Sequence, residues 1–178
     1  RGSLAGAYQY GVEVAGGSEG VTLRRVVAAG AGDRPTILQG SGHSGLLTIE
    51  DSELESDVQA TIRSDGGDLS VLRSTVHAKG NGSSDYPIDY RGGGAYVQQS
   101  CVVLNGLANY GLNIPSGDAS STTINNNCWD HYGGSGGIFV ALVNGTQTDT
   151  PDSAGGLYQD PLVTDRAAGD YTAASDSS

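Results

Sequence analysis

Methionine is absent from this 178-residue chain, and lysine, phenylalanine and tryptophan occur once each, as Lys79, Phe139 and Trp129. Aromatic residues amount to only 6%, too few to fill the broad core of an ordinary globular domain. Cations are scarce too: nine Lys and Arg stand against twenty Asp and Glu, for a formal charge of −11. Phosphate binding needs clustered Lys and Arg, so nucleic acid is excluded as a partner. No apolar run reaches the roughly 18 residues of a membrane span, and no transmembrane helix is expected. The two cysteines, Cys101 and Cys128, fall short of a zinc site, and no histidine stands at a metal-ligand spacing from them. No basic-then-apolar leader follows Arg1, so the chain is read as a processed, trimmed or excised piece of something longer. The acidity has two open explanations. One is a GC-rich genome, favouring Arg, Asp, Gly and Ala codons; the other is adaptation to high salt, which screens self-repulsion.

Glycine is abundant, with 29 residues, and the apolar residues recur. Aligned roughly two dozen residues apart, one column reads Val14, Leu38, Ile62, Tyr90, Ile114 and Val140. A second reads Leu23, Ile49, Val71, Val97 and Ile124, and a third Ala28, Leu54, Val76, Val102 and Trp129. Three short apolar peaks per repeat, separated by Gly, Ser, Asn and Asp, describe a chain that turns three corners and returns to stack on itself. Period-two alternation dominates, and no helical periodicity competes with it. A narrow solenoid core suits Val, Ile and Leu, and its corners suit glycine.

Between the second and third strands a small polar residue recurs: Val26 is followed by Ser52, Ser74, Ser100 and Asn127. Such a residue can bond its own backbone or its equivalent one coil away. The column resembles the Asn/Ser ladder of right-handed parallel β-helices of the pectin-lyase-like class, and the right-handed crossover rule points the same way. The expected fold is therefore an all-β, right-handed, single-stranded parallel β-helix of about six coils over residues 1–144. An irregular capping segment is expected over 145–178, the two making one domain. The tail, Asp160-Pro161-Leu162-Val163, then Gly169-Asp170-Tyr171-Thr172 and Ser175-Asp176-Ser177, resembles the stretch that closes many extracellular β-helix repeat proteins. The Pro-Ala-Ile-Asp-like run that follows there does not follow here, which again reads as a fragment. Residues 1–10 carry no amphipathic capping helix, so another segment or subunit is expected to cover that end.

Cys101 and Cys128 share a column on adjacent coils, open either to a disulfide that staples coils four and five or to a packed pair of thiols. A disulfide would fit an oxidising, extracellular setting. Arg25, Asp51 and Arg73, with Arg24 and Glu50 beside them, read as charge ladders that set register and carry no catalysis. Lyases and hydrolases of the resembled class use the face of the first strand for sugar. On that face the outward columns read Glu13, Ile37, Thr61, Asp89, Asn113 and Ala15, Gln39, Arg63, Arg91, Pro115. Arg63, Asp89, Arg91 and Asn113 would form one polar patch able to hydrogen-bond sugar hydroxyls or an acidic polysaccharide. Tyr96, set in a column of Thr22, Thr48, Ser70 and Thr123, could stack on a sugar ring; it also breaks the flat threonine row that an ice-binding face requires. The plain alternative is a solvated face with one ion pair.

Cys128-Trp129-Asp130-His131 resembles the Trp-Ile-Asp-His motif of pectate lyases, but the intervening residue is missing and Trp129 falls in an inward column. Calcium is the one cofactor that the resemblance would bring, and no cluster of Asp on adjacent coils supplies its site. Paired carboxylates at a glycosidase separation are not found. Asp65-Gly66-Gly67-Asp68 reads as a corner, and His43 and His77 show no evident partners. Asn81-Gly82-Ser83 and Asn144-Gly145-Thr146 are glycosylation sequons in expected loops. The function read from these residues is a non-catalytic extracellular, cell-surface or virion-surface module, such as a tail-spike, fibre or adhesin segment, presenting a polar face to a polysaccharide or surface glycan. It would belong to a longer chain or to a homo-oligomer, a trimer in the virion case. The alternative is a fragment of a polysaccharide lyase or glycoside hydrolase acting on an acidic polysaccharide.

Overall fold

Alternation of apolar and polar residues over three to five positions makes short strands with one face to bury, and successive strands meet that need by stacking on their equivalents. The computed structural model describes residues 3–6, 11–30, 34–57, 60–80, 86–92, 94–105, 110–115, 122–132, 139–143, 146–148, 157–158, 163–165 and 170–173. A single strand, β1 (Ser3–Gly6), precedes five triads. The first is β2 (Val12–Val14), β3 (Val21–Arg24) and β4 (Val27–Gly30); the second is β5 (Ile37–Gln39), β6 (Leu47–Glu50) and β7 (Glu53–Ser56). The third is β8 (Ile62–Ser64), β9 (Leu69–Leu72) and β10 (Thr75–Ala78); the fourth is β11 (Ile88–Tyr90), β12 (Ala95–Gln98) and β13 (Cys101–Asn105). The fifth is β14 (Tyr110–Ile114), β15 (Thr122–Asn125) and β16 (Cys128–Tyr132).

Like members of successive triads pair in parallel, which gives three sheets running along one axis. The first sheet runs from β2 through β5, β8 and β11 to β14, the second from β3 to β15, and the third from β1 and β4 to β16. The chain is an all-β parallel β-solenoid of about four turns, with no helix among the described residues. None of its described segments is a helix long and apolar enough to cross a membrane.

About six coils were expected from the sequence; the structure has about four turns, and the expected sixth is not completed. Strand β17 (Phe139–Val143) adds to the first sheet in parallel, but β18 (Thr146–Thr148) folds back antiparallel on it, Val143 facing Thr146. The sequence between them is Asn-Gly, the dipeptide that most favours a two-residue hairpin. Strand β19 (Leu157–Tyr158) extends the third sheet beside β16, while β20 (Val163–Asp165) and β21 (Asp170–Ala173) pair with each other.

The second and third columns match the structure residue for residue. Leu23, Ile49, Val71, Val97 and Ile124 form one file, and Ala28, Leu54, Val76, Val102 and Trp129 another. The first column needs correction. Ile37, Ile62, Ile88 and Leu112 make one inward file behind Val12, and Val14, Gln39, Ser64 and Tyr90 make the next. Leu38 therefore does not share a file with Ile62; it stands with Glu13, Arg63, Asp89 and Asn113, and Ile37 and Gln39 point inward instead. The reason is chemical. Gln39 and Ser64 are buried polar residues in inward positions, and an alignment that assumes an apolar interior slides past them.

The corner between the second and third sheets holds the stack in register. Arg25, Asp51, Arg73, Gln99 and Asn126 adopt φ of 56, 51, 46, 51 and 53°, a left-handed conformation uncommon for side chains of this size. Their backbone N–H groups donate to the next coil: Arg25 to Glu50, Asp51 to Leu72, Arg73 to Gln98 and Gln99 to Asn125. The residue after each carries the polar ladder. Val26 N–H donates to Ser52 Oγ at 3.1 Å, Ser52 N–H to Ser74 Oγ at 3.2 Å, Ser74 N–H to Ser100 Oγ at 3.2 Å and Ser100 N–H to Asn127 Oδ1 at 2.9 Å. Each serine hydroxyl in turn donates to the carbonyl two residues before it, on Glu50, Leu72 and Gln98. Ser52, Ser74, Ser100 and Asn127 are all buried, so the ladder satisfies backbone donors that water cannot reach.

Glycine is required where the stacked backbone meets a large side chain. A Cβ on Gly111 would run into the ring of Trp129, the largest side chain of the core. Replacing Gly111 with Ala is expected to cost about 1–3 kcal/mol through overpacking, and to shift the fluorescence of the only tryptophan; an unchanged spectrum and midpoint would contradict this packing. Ser74→Ala removes the acceptor for the buried Ser52 N–H. Urea unfolding should show a loss of about 1–3 kcal/mol, against a change within noise if the ladder were decorative.

Candidate functional site

The central residues of the three-residue strands in the first sheet face away from the core, and parallel register brings them side by side. Arg63 of β8 pairs with Asp89 of β11, and Asp89 with Asn113 of β14. Two residues further along, Arg91 N–H donates to the Ser64 carbonyl at 2.7 Å, which sets Arg91 beside Asp65. Four of the residues expected in the patch are therefore together. Asp89 is their hub: its Oδ2 accepts from Arg91 at 2.8 Å and its Oδ1 from the Asn113 amide at 2.8 Å, and both Asp89 and Asn113 are buried. Asp65 Oδ1 and Oδ2 accept from Arg63 Nε at 2.9 and 3.0 Å, and Asp65 Oδ1 lies 3.8 Å from Arg91 Nε. Asp65 entered the sequence reading only as a corner residue. Its signal was its place two residues after Arg63, on the same side of the strand path.

Two guanidinium groups face two carboxylates, so the patch is balanced in charge. Both carboxylates are engaged by arginine, which suits hydrogen bonding to a ligand better than general acid–base work. Among the described residues no group of three or more His, Cys, Asp or Glu could hold a metal ion.

Tyr96 lies on β12 of the second sheet, in file with Ser70 and Thr123, and is 40% exposed. The first sheet has its own pair. Tyr86 and Tyr110 are half-buried, with ring centroids 6.1 Å apart and planes tilted by 45°. Phe139 holds the next register position after Tyr110. Only the stacking distance links residues so far apart in sequence, and Tyr86 precedes its strand.

Cys101 and Cys128 are direct register partners, as their column implied, yet no disulfide joins them and their sulfurs are not at disulfide distance. Side chains in one file project in parallel and keep the strand spacing, whereas a disulfide needs Cβ atoms drawn together to about 3.8 Å. The staple expected between coils four and five is replaced by two thiols. The sequon residues Asn81 and Asn144 lie outside the described residues. Trp129 is inward and 1% exposed, as expected.

His43 has partners that the sequence did not disclose. Its Nε2 lies 3.0 Å from the Glu19 carbonyl and its Nδ1 2.9 Å from Gln39 Nε2. A carbonyl only accepts, so Nε2 carries the proton and Nδ1 accepts from the Gln39 amide. Gln39 also donates to the Gly45 carbonyl at 3.0 Å and accepts from Ser64 Oγ at 2.7 Å. This buried network fills the corner between the first and second sheets and explains how Gln39 can face inward. Burial, with the Asp68 carboxylate and Tyr96 adding to it, pushes the Tyr90 phenol well above its ordinary range; Tyr90 Oη donates to the Gly67 carbonyl at 3.3 Å.

The charge ladder forms on the opposite corner. Arg73 Nε meets Asp51 Oδ1 at 2.7 Å and Arg73 Nη2 meets Glu50 Oε2 at 3.2 Å; Arg24 Nε lies 3.1 Å from Asp51 and 3.2 Å from Glu50. Arg24 reaches both carboxylates, so the two neighbouring columns interlock as one cluster. The hydrogen bond from Arg73, helped by Arg24, holds the Asp51 carboxyl below its ordinary 3.8. A carboxyl lowered on folding adds stability above its unfolded pKa and loses it as the pH falls through the folded value. In NMR-detected titration Asp51 should ionise below 3.8, and Arg73→Ala should move it back up; a titration insensitive to Arg73 would refute the assignment.

No family model, curated protein or solved structure matches this chain.

Proposed function

We propose that this solenoid is a non-catalytic recognition module of an extracellular, cell or virion surface, and that the outer face of its first sheet binds a glycan chain. The observation that carries this reading is the cluster of Arg63, Asp65, Asp89, Arg91 and Asn113 on the same sheet as the half-exposed Tyr86–Tyr110 pair. Sugar rings combine apolar C–H faces with rims of hydroxyls. A sheet that carries aromatic rings as well as fixed donors and acceptors answers both needs. Balanced patch charge on a chain of −11 favours a neutral glycan over an acidic one, which long-range repulsion would oppose. The files repeat along the rod at the strand spacing of about 4.8 Å, so an extended ligand would lie across several coils. The same rod could form part of a longer chain or of a trimeric fibre.

The test is binding to arrayed neutral and acidic glycans, with product release followed in parallel. Retention on neutral glycans without turnover is expected, and Tyr110→Ala and Arg91→Ala should each weaken it about tenfold or more, equivalent to about 1.4 kcal/mol. The competing reading, a polysaccharide lyase or hydrolase, draws on the two arginines of the face. Release of unsaturated uronate from an acidic polysaccharide, abolished by Arg63→Ala or Arg91→Ala, would replace the present proposal with it.

A further inference from the structure

The corner between the first and second sheets buries an imidazole whose neighbours fit only its neutral form. His43 is 1% exposed, on the loop between β5 and β6. Its backbone bridges Gly17 of coil one, and Ser44 N–H donates to the Gly17 carbonyl at 2.8 Å. Its ring donates from Nε2 to the Glu19 carbonyl and accepts at Nδ1 from the Gln39 amide. Both Gln39 amide protons are committed: one meets His43 Nδ1, the other the Gly45 carbonyl at 3.0 Å, with the Asp68 carbonyl at 3.4 Å. A proton on Nδ1 would therefore set N–H against N–H. Turning the Gln39 amide over would offer Nδ1 an oxygen, but would set that oxygen against the Gly45 carbonyl with no proton between them.

Nor does a carboxylate stand ready to balance an imidazolium. The loop of His43, residues 40–46, carries no other titratable group. Coil one brings Glu19 to this corner and coil three brings Asp65 and Asp68, with Gly66 so close to the His43 carbonyl that a Cβ would collide. Asp65 is taken by Arg63, and the Asp68 carboxylate accepts from Gly94 N–H at 2.8 Å. The Glu19 side chain is exposed, and only its carbonyl reaches the ring. From coil four, Tyr90 meets the Gly67 carbonyl, and Arg91 lies beyond Asp65. Burying a charge without a partner is costly, so a proton on His43 would open the corner.

The same network reaches the glycan-binding face. Gln39 Oε1 accepts from Ser64 Oγ at 2.7 Å, and the Gln39 carbonyl accepts from Asp65 N–H at 2.8 Å. Asp65 in turn grips Arg63 Nε with both oxygens and stands 3.8 Å from Arg91 Nε. We propose that His43 is a proton-operated positioning residue of that face. Neutral, it fixes Gln39 and, through Gln39, Asp65 and the two arginines; protonated, it loosens the corner and releases the ligand. The identity of what is released rests on the glycan reading, whereas the loosening rests on the corner alone. Solvent supplies the proton to Nδ1, and no covalent bond between heavy atoms changes.

The experiment compares the full chain at about pH 7.5 and about pH 5, a window that spans ordinary imidazole titration and leaves ordinary carboxyl groups ionised. Amide hydrogen exchange is read as protection factors, which removes the intrinsic effect of pH on exchange. Asp65 and Ser44 N–H should lose protection by about tenfold or more in acid. Ser74 N–H, bonded to Ser100 at the corner between the second and third sheets, should keep its protection. Binding to arrayed neutral glycans should weaken in parallel by about tenfold. In His43→Gln both responses should vanish, whatever the absolute affinity of the variant. If that variant folds poorly, the wild-type chain still decides, because the loss of Asp65 protection should share its midpoint with the ring-nitrogen shifts of His43. Unchanged Asp65 protection, an equal loss at Ser74, or a pH response that survives His43→Gln would each overturn the proposal. A chain that binds no glycan at either pH, yet loses Asp65 protection in acid, would refute the glycan reading and leave the loosening at His43 standing.

Discussion

The corner between the second and third sheets constrains everything else in the molecule. One residue per coil enters the left-handed region, and its N–H leaves its own coil to bond the next. The residue after it, buried and polar in every coil after the first, receives an N–H from the coil before; each serine there returns its hydroxyl to a carbonyl in its own coil, and Asn127 gives its amide to the Val97 carbonyl of the coil before. A slip of one residue would break all of these bonds at once and turn every strand inside out. Left-handed backbone at Arg25, Arg73 or Gln99 is unfavourable taken singly; repeated at the same place in each coil, it is offset by bonds that only a stacked neighbour can supply.

Register of this kind converts sequence distance into chemistry. Arg63, Asp89 and Asn113 lie far apart along the chain yet come side by side, because these residues of β8, β11 and β14 occupy one file. The same rule brings Tyr86 beside Tyr110 and Cys101 beside Cys128. It also limits what such a surface can do. Neighbours in a file are held at the strand spacing with parallel side chains, a geometry suited to extended ligands. The carboxylates of the first-sheet face sit close enough to arginine to be held by it, and so act as fixed acceptors.

Much of the fold was legible in the sequence, and unevenly so. The strands of the second and third sheets alternate over four or five residues around Val, Ile and Leu, and their columns could be aligned without error. The polar corner column was legible for the same reason, since Ser52, Ser74 and Ser100 follow an apolar strand at a fixed offset. The three-residue strands of the first sheet gave too little alternation. There Gln39 and Ser64 point inward, satisfied by His43, Gly45 and each other, while Leu38 lies outside the core file. The four charged and amide residues of the patch were recognised from their polar character, but Asp65, Tyr86 and Tyr110 were not, because each belongs to a corner or a strand end where composition says little about direction.

The sequence by itself determined a stacked, three-cornered β architecture, for periodic apolar residues separated by glycine and small polar residues have no other way to bury their faces. It also determined the acidity and the presence of only two thiols, which are matters of count. Only the tertiary structure decided which residues of the first sheet face solvent, where the sixth coil gives way to a hairpin, and whether two stacked cysteines meet as a bond. Those outcomes depend on backbone spacing and side-chain direction to within an ångström or two, and a one-dimensional pattern carries neither.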